Sequence, residues 1–161
     1  VVLRDAANPS GTGLFGSIQT ASSRFRIEVT PVGLRDGAEI ERGVAGFARA
    51  GNGGMIVTPT SLAIVHRDLI IAQAQKFALP AIYPFRYFYI AGGLVHYGFN
   101  PIDQYRQAAR YIDLVLRGEK PANLPVQNPT KYDLAINLKT ARALGLVVPP
   151  ALLAAATEVI E

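Results

Sequence analysis

Short continuous apolar runs alternate with helix-length amphipathic stretches through the first half of the chain. Val1-Val2-Leu3 opens as if inside a strand and ends at Arg4-Asp5; Asn8-Pro9-Ser10-Gly11 is turn chemistry. Ser10 or Thr12 then caps a helix to about Arg24, with Leu14, Ile18 and Ala21 on one face. The β-branched stretch Ile27 to Leu34 predicts a second strand. Asp36-Gly37-Ala38-Glu39 has the form of a capping box for a helix carrying Ile40, Val44 and Phe47, which stops at Gly51-Asn52-Gly53-Gly54. Met55-Ile56-Val57 is a third strand. Ser61 caps a long helix to Phe77 with Val65, Leu69, Ala72 and Phe77 inward, and Pro80 to Pro84 is a fourth strand. This β-α alternation with fully apolar strands predicts an α/β fold, a parallel sheet with helices on both faces.

The second half changes character. Ala91-Gly92-Gly93 breaks the chain before a strand, Leu94 to Gly98. Asn100-Pro101 opens a helix with the stripe Ile102, Tyr105, Ala109, Ile112 and Leu116, and Gly118 ends it. Lys120 to Thr130 holds three prolines and reads as an extended connector. Tyr132 to Ile136 is a last strand, Asn137 caps a short helix ending at Gly145, and Pro149-Pro150 opens a terminal helix rich in Ala and Leu.

With 161 residues, half of them hydrophobic and 17% charged, the chain carries a folded core rather than disorder. The formal charge of +4 comes from basic residues scattered between Arg4 and Arg142, a solvated surface rather than a nucleic-acid stripe. Cysteine is absent and histidine is limited to His66 and His96, which removes disulfide scaffolds, thiolate chemistry and a His-rich metal site. No run approaches the roughly 18–20 apolar residues that cross a bilayer. The start at Val1, with neither Met nor signal peptide, reads as a processed or truncated piece of a longer protein.

Gly11-Thr12-Gly13-Leu14-Phe15-Gly16 matches the dinucleotide pattern G-x-G-x-x-G, with Asp36 farther on as the ribose acid. Against an NAD-binding oxidoreductase stand the six residues Asp5 to Ser10 between strand and first glycine, and the capping role of Asp36. No G-x-S-x-G elbow and no pair of carboxylates at pocket spacing occurs; His66 reads as a solvated helix residue and His96 as a packed strand residue. Nothing compels an enzyme. Three loops remain: Asn8-Pro9-Ser10, Thr58-Pro59-Thr60-Ser61 and Pro84-Phe85-Arg86-Tyr87 each follow a predicted parallel strand. Ligands of open α/β sheets bind at that edge, and hydroxyls, an amide and a guanidinium suit a small carboxylate-bearing ligand.

Three segments carry a family resemblance: Ala91 to Gly98, Leu116 to Val126 and Ile136 to Leu146, with the closing Glu158-Val159-Ile160-Glu161. Over essentially its whole length the chain resembles the ABC transporter substrate-binding proteins of the tryptophan-type family. The resemblance implies a type I periplasmic binding protein, in which two α/β lobes joined by crossover strands close on a ligand. Residues 1–93 and 131–161 would form the second, C-terminal lobe; 94–130 would be a strand, helix and connector returning to a first lobe. Carried over by position, Asn8, Ser10, Thr60, Ser61, Phe85 and Arg86 line the cleft and Tyr97 lies near the hinge. The chain departs from amino-acid-binding members at Thr60-Ser61, where an acidic-amide pair is usual, and at Arg86, where a small or acidic residue is common. Tryptophan is therefore not assumed as the ligand. The family implies a non-catalytic solute-binding role, a periplasmic location, and an ABC permease and ATPase as partners; no cofactor, metal or nucleic acid is expected. A homodimer through helix 101–117 would cover a stripe that otherwise lacks its lobe. A sensory domain of the same fold, without a transporter, is the alternative within it.

Overall fold

The computed structural model describes residues 1–161. One seven-stranded sheet has the order β2-β1-β3-β4-β5-β6-β7. The strands β1 (Val2–Arg4), β2 (Pro31–Gly33), β3 (Met55–Val57), β4 (Ala81–Tyr83) and β5 (Val95–Phe99) run parallel. The strand β6 (Tyr132–Asn137) is antiparallel to β5, and β7 (Glu158–Ile160) follows the direction of β6. Helices flank both faces, so the α/β expectation holds, with a reversal of strand direction after β5.

The core lies on one face. Leu3, Val57 and Tyr83 from the strands meet Ile40 and Val44 of α2 (Gly37–Ala48) and Ile70 and Ala74 of α4 (Arg67–Lys76). Full burial of each large aliphatic side chain among them is worth about 1.5–3 kcal/mol. On the opposite face α1 (Pro9–Arg24) touches β1.

Several local expectations are corrected. Asn8, not Ser10 or Thr12, caps α1: the Ser10 N–H donates to Asn8 Oδ1 at 2.9 Å and Pro9 takes the first helical position. The inward residues of α1 are Gly11, Phe15 and Ser22, while Leu14 and Ala21 are exposed. The second strand shrinks to Pro31–Gly33. Asp36 caps α2 by accepting the Glu39 N–H at 2.7 Å, but Glu39 lays its carboxylate against Gly33, where a Cβ would collide with it. The long helix is two: α3 (Ser61–Val65), capped by Thr60 rather than Ser61, and α4, with His66 between them in a non-helical conformation. That break rotates the register, so Ala63, Ile70 and Ile71 are buried and Val65 and Ala72 are exposed.

The segment Arg86–Ile90 is a helix, α5, held by the ring stacks Tyr83–Phe88 and Phe85–Tyr87 at 5.1 and 5.2 Å. Beyond β5, α6 (Pro101–Leu116) has no buried residue. A short 3₁₀ turn at Pro121–Asn123 and an extended run return the chain to β6. After α7 (Leu138–Ala143), capped as expected by Asn137, the terminal helix α8 is only Pro150–Ala155 and gives way to β7.

Candidate functional site

Three strands put the site on one edge. Because β1, β3 and β4 are adjacent and parallel, the loops leaving their carboxyl ends share one end of the sheet. The Thr58 hydroxyl donates to the Leu3 carbonyl at 2.8 Å in a buried contact, which fastens the β3 loop to the end of β1.

The predicted residues fall into distinct settings. Asn8 and Ser10 are exposed at the first turn of α1, with the Asn8 carbonyl oxygen engaged in its cap. Thr60 is buried and its Oγ1 accepts the Ala63 N–H at 3.2 Å; Ser61 beside it is exposed. Phe85 is partly buried against the Tyr87 ring. Arg86 turns to Glu158 on β7, its Nε and Nη2 donating to the two carboxylate oxygens at 2.7 to 3.0 Å. Tyr97 stands apart from these loops, stacked on Tyr132 at 5.6 Å between centroids where β5 pairs with β6. The structure thus groups the loops of Asn8, Ser10, Thr60, Ser61 and Phe85, occupies Arg86 with a carboxylate, and places Tyr97 on the strand pair that leads to α6.

Sequence reasoning missed Arg4. It ends β1 at the same edge, donates from Nη1 to Thr12 Oγ1 at 3.2 Å, and lies 4.9 Å from the centroid of the Phe15 ring. Its position at the carboxyl end of a strand was the available signal.

His96 is buried on β5 opposite Tyr83, and its Nδ1 lies 3.2 Å from the Tyr83 carbonyl oxygen. A carbonyl only accepts, so Nδ1 carries the proton. Burial pushes the imidazole below its ordinary range, outweighing the Tyr83 carbonyl and the nearby Asp133. This is a packed, neutral strand histidine with a structural partner.

The glycine motif lies inside α1 rather than in a turn at the end of β1. Gly11 allows the helix to approach the Asp5 carbonyl, while Gly13 and Gly16 face open space. A pyrophosphate cradle needs its first glycine at the strand end, so the dinucleotide alternative loses its geometry. No group of three or more His, Cys, Asp or Glu residues could hold a metal ion, and no helix is long and apolar enough to cross a membrane.

A cavity of about 960 Å³ opens elsewhere. It lies on the face opposite the core, over Val2, Ile56, Ile82 and Val95, and reaches Gly54 and Pro80 at the amino ends of β3 and β4. Its lining is mainly aliphatic, and the loops at the carboxyl edge are no part of it.

The profile of the family described as ABC transporter substrate binding protein matches residues 16–160, and the chain belongs to that family. No curated protein sequence matches the chain. Among solved structures it is similar to a conserved domain protein from Vibrio cholerae, with a TM-score of 0.86 at 21% identity over 98% of this chain and 53% of that one. It is similar to an ABC domain in complex with L-Trp from Streptococcus pneumonia, TM-score 0.84 at 20% identity over 99% of this chain and 55% of the other. A third likeness is to a ligand-free, open substrate binding protein with adhesive properties from Clostridium difficile, TM-score 0.71 at 16% identity over 99% and 53%. The chain spans about half the length of these structures, and the shared feature is the fold of one lobe of an ABC-type substrate-binding protein.

Proposed function

We propose that the chain is the second, C-terminal lobe of the solute-binding component of an ABC importer, of the tryptophan-type family. Residues 1–93 and 131–161 form the lobe, and 94–130 extend to a first lobe. The observation that carries this reading is the alignment of three loops, those of Asn8-Ser10, Thr60-Ser61 and Phe85, on the carboxyl edge of β1, β3 and β4. That edge supplies one jaw of a cleft, and a small carboxylate-bearing solute, such as an amino acid, fits its hydroxyls and amide. Tyr97 sits at the hinge. Ligand contacts with both jaws favour the closed form, which the permease, driven by its ATPase, then recognises from the periplasmic side.

Two consequences follow for the chain alone. One jaw offers about half of the contacts, so its solute affinity is weak. The uncovered stripe of α6 is available to a second copy, and a homodimer through 101–117 buries it. Titration calorimetry with an amino-acid panel tests the first point on this chain and on the same chain fused behind a first lobe. Weak or undetectable heats for the chain and tight binding by the two-lobed protein are expected; equal tight binding by both overturns the reading.

A further inference from the structure

Three cations stand at the carboxyl ends of β1 to β4: Arg4 ends β1, Arg35 follows β2, and Arg86 opens α5 after β4. Arg35 Nε lies 3.5 Å from Asp36 and 3.8 Å from Glu39, and Arg86 is held by Glu158 at 2.7 Å. Arg4 alone has no carboxylate partner. It is nevertheless held, with Nη1 donating to the Thr12 hydroxyl and its guanidinium carbon over the buried Phe15 ring. Thr12 and Phe15 lie on the first two turns of α1, so the helix that follows β1 also sets the guanidinium that ends it.

A guanidinium has five N–H donors, and the Thr12 contact consumes one. The Nε and Nη2 donors form the fork that matches a carboxylate in two parallel hydrogen bonds. Held on one face and at one nitrogen, the group has already lost most of its rotamer freedom, so a ligand pays little ordering entropy to engage it. Arg4 is also well placed in the sheet, one residue beyond the Leu3–Val57 pair and beside the Thr58–Thr60 loop.

We propose that Arg4 is the anion anchor of the solute site, selecting ligands that present a free carboxylate, with Thr12 as the residue that positions it. This rests on the reading of the carboxyl edge as the ligand jaw and moves the charge recognition from Arg86 to Arg4.

The test uses the 161-residue chain labelled with ¹⁵N, following backbone amides and the arginine Nε–Hε signals. The probes are two acid and amide pairs, 3-phenylpropionate with 3-phenylpropionamide and L-leucine with L-leucinamide. The acids are expected to shift the Arg4 Nε–Hε signal and the amides of Thr58, Thr60 and Ser61, with the amide probes at least tenfold weaker. R4Q should erase the acid preference, R4K should keep part of it, and T12A should reduce it several-fold while the spectrum stays that of a folded chain. Equal shifts by acids and amides at these loops, an acid preference that survives R4Q, or acids that move the Arg86 signal instead of Arg4 overturn the anchor and leave the jaw standing. Probes that shift none of the carboxyl-edge loops overturn both.

Discussion

Arg86 and Glu158, 72 residues apart, form a bidentate ion pair that joins the start of α5 to the last strand. The guanidinium crosses from the end of β4 to β7, passing the two strands between them. Both side chains are about half exposed, so water screens the attraction even though the fork geometry is good. A double-mutant cycle with R86A and E158A is expected to give a coupling energy of no more than about 1 kcal/mol, shrinking as salt is raised. A coupling of several kcal/mol that ignored salt would mean a desolvated pair, contrary to this geometry.

The glycines of α1 are expected to answer mutation differently. Gly13 and Gly16 lie within the helix with open space around them, so G13A and G16A should each stabilise the fold by up to about 1 kcal/mol through helix propensity. A Cβ at Gly11 meets the Asp5 carbonyl, so G11A should destabilise by about 1–3 kcal/mol. Urea melts of the three variants check this; equal effects at all three sites would contradict it.

His96 makes stability fall in acid. Its imidazole is held below its ordinary range in the folded chain, so the unfolded chain takes up the proton first as pH drops. The melting temperature should therefore decline once pH falls below about 6.5 and keep declining until the folded protein also protonates there. The negative charges of Asp133 and Glu158 moderate the effect, while the Arg86 charge adds to it. H96N, which keeps a donor for the Tyr83 carbonyl, should flatten this part of the pH–melting profile. An unchanged slope in H96N would assign it to other groups.

Exposed apolar residues on α6 predict self-association. Ile102, Tyr105 and Ile112 are at least 60% exposed, and Leu116 is 81% exposed. Light scattering should detect a concentration-dependent dimer that I112D abolishes. Since Ile112 touches little in the monomer, that variant should change monomer stability by no more than about 0.5 kcal/mol. A monomer at every concentration would show that the stripe tolerates water.

Much of this architecture was legible where local pattern and burial agree. Met55-Ile56-Val57 and Ala81 to Tyr83 read as strands because central parallel strands are apolar on both faces, and Asp36, Asn100 and Asn137 were legible as caps by their spacing. The break at His66 was not, because no glycine or proline marks it and the apolar pattern runs through. Arg86-Tyr87-Phe88-Tyr89-Ile90 escaped as a helix because its aromatic residues favour strands, and ring stacking onto Tyr83 overrides that preference. At the site, the edge loops followed from strand polarity alone. Which arginine was free did not, because the partner of Arg86 lies at the far end of the chain and only the fold brings it near.

The pairing of β5 with β6 carries a mechanical consequence. Residues 100–130 are attached to the sheet through a two-stranded ribbon, Tyr97–Phe99 against Tyr132–Leu134, which extends beyond β4 and β7 and is pinned at its tip where Asn100 Nδ2 donates to Asp133 at 2.8 Å. An antiparallel ribbon resists stretching and shear along its hydrogen bonds but twists with little resistance. Rotation of α6 relative to the sheet would therefore be taken up first in this ribbon, where the Tyr97 and Tyr132 rings stack across the two strands.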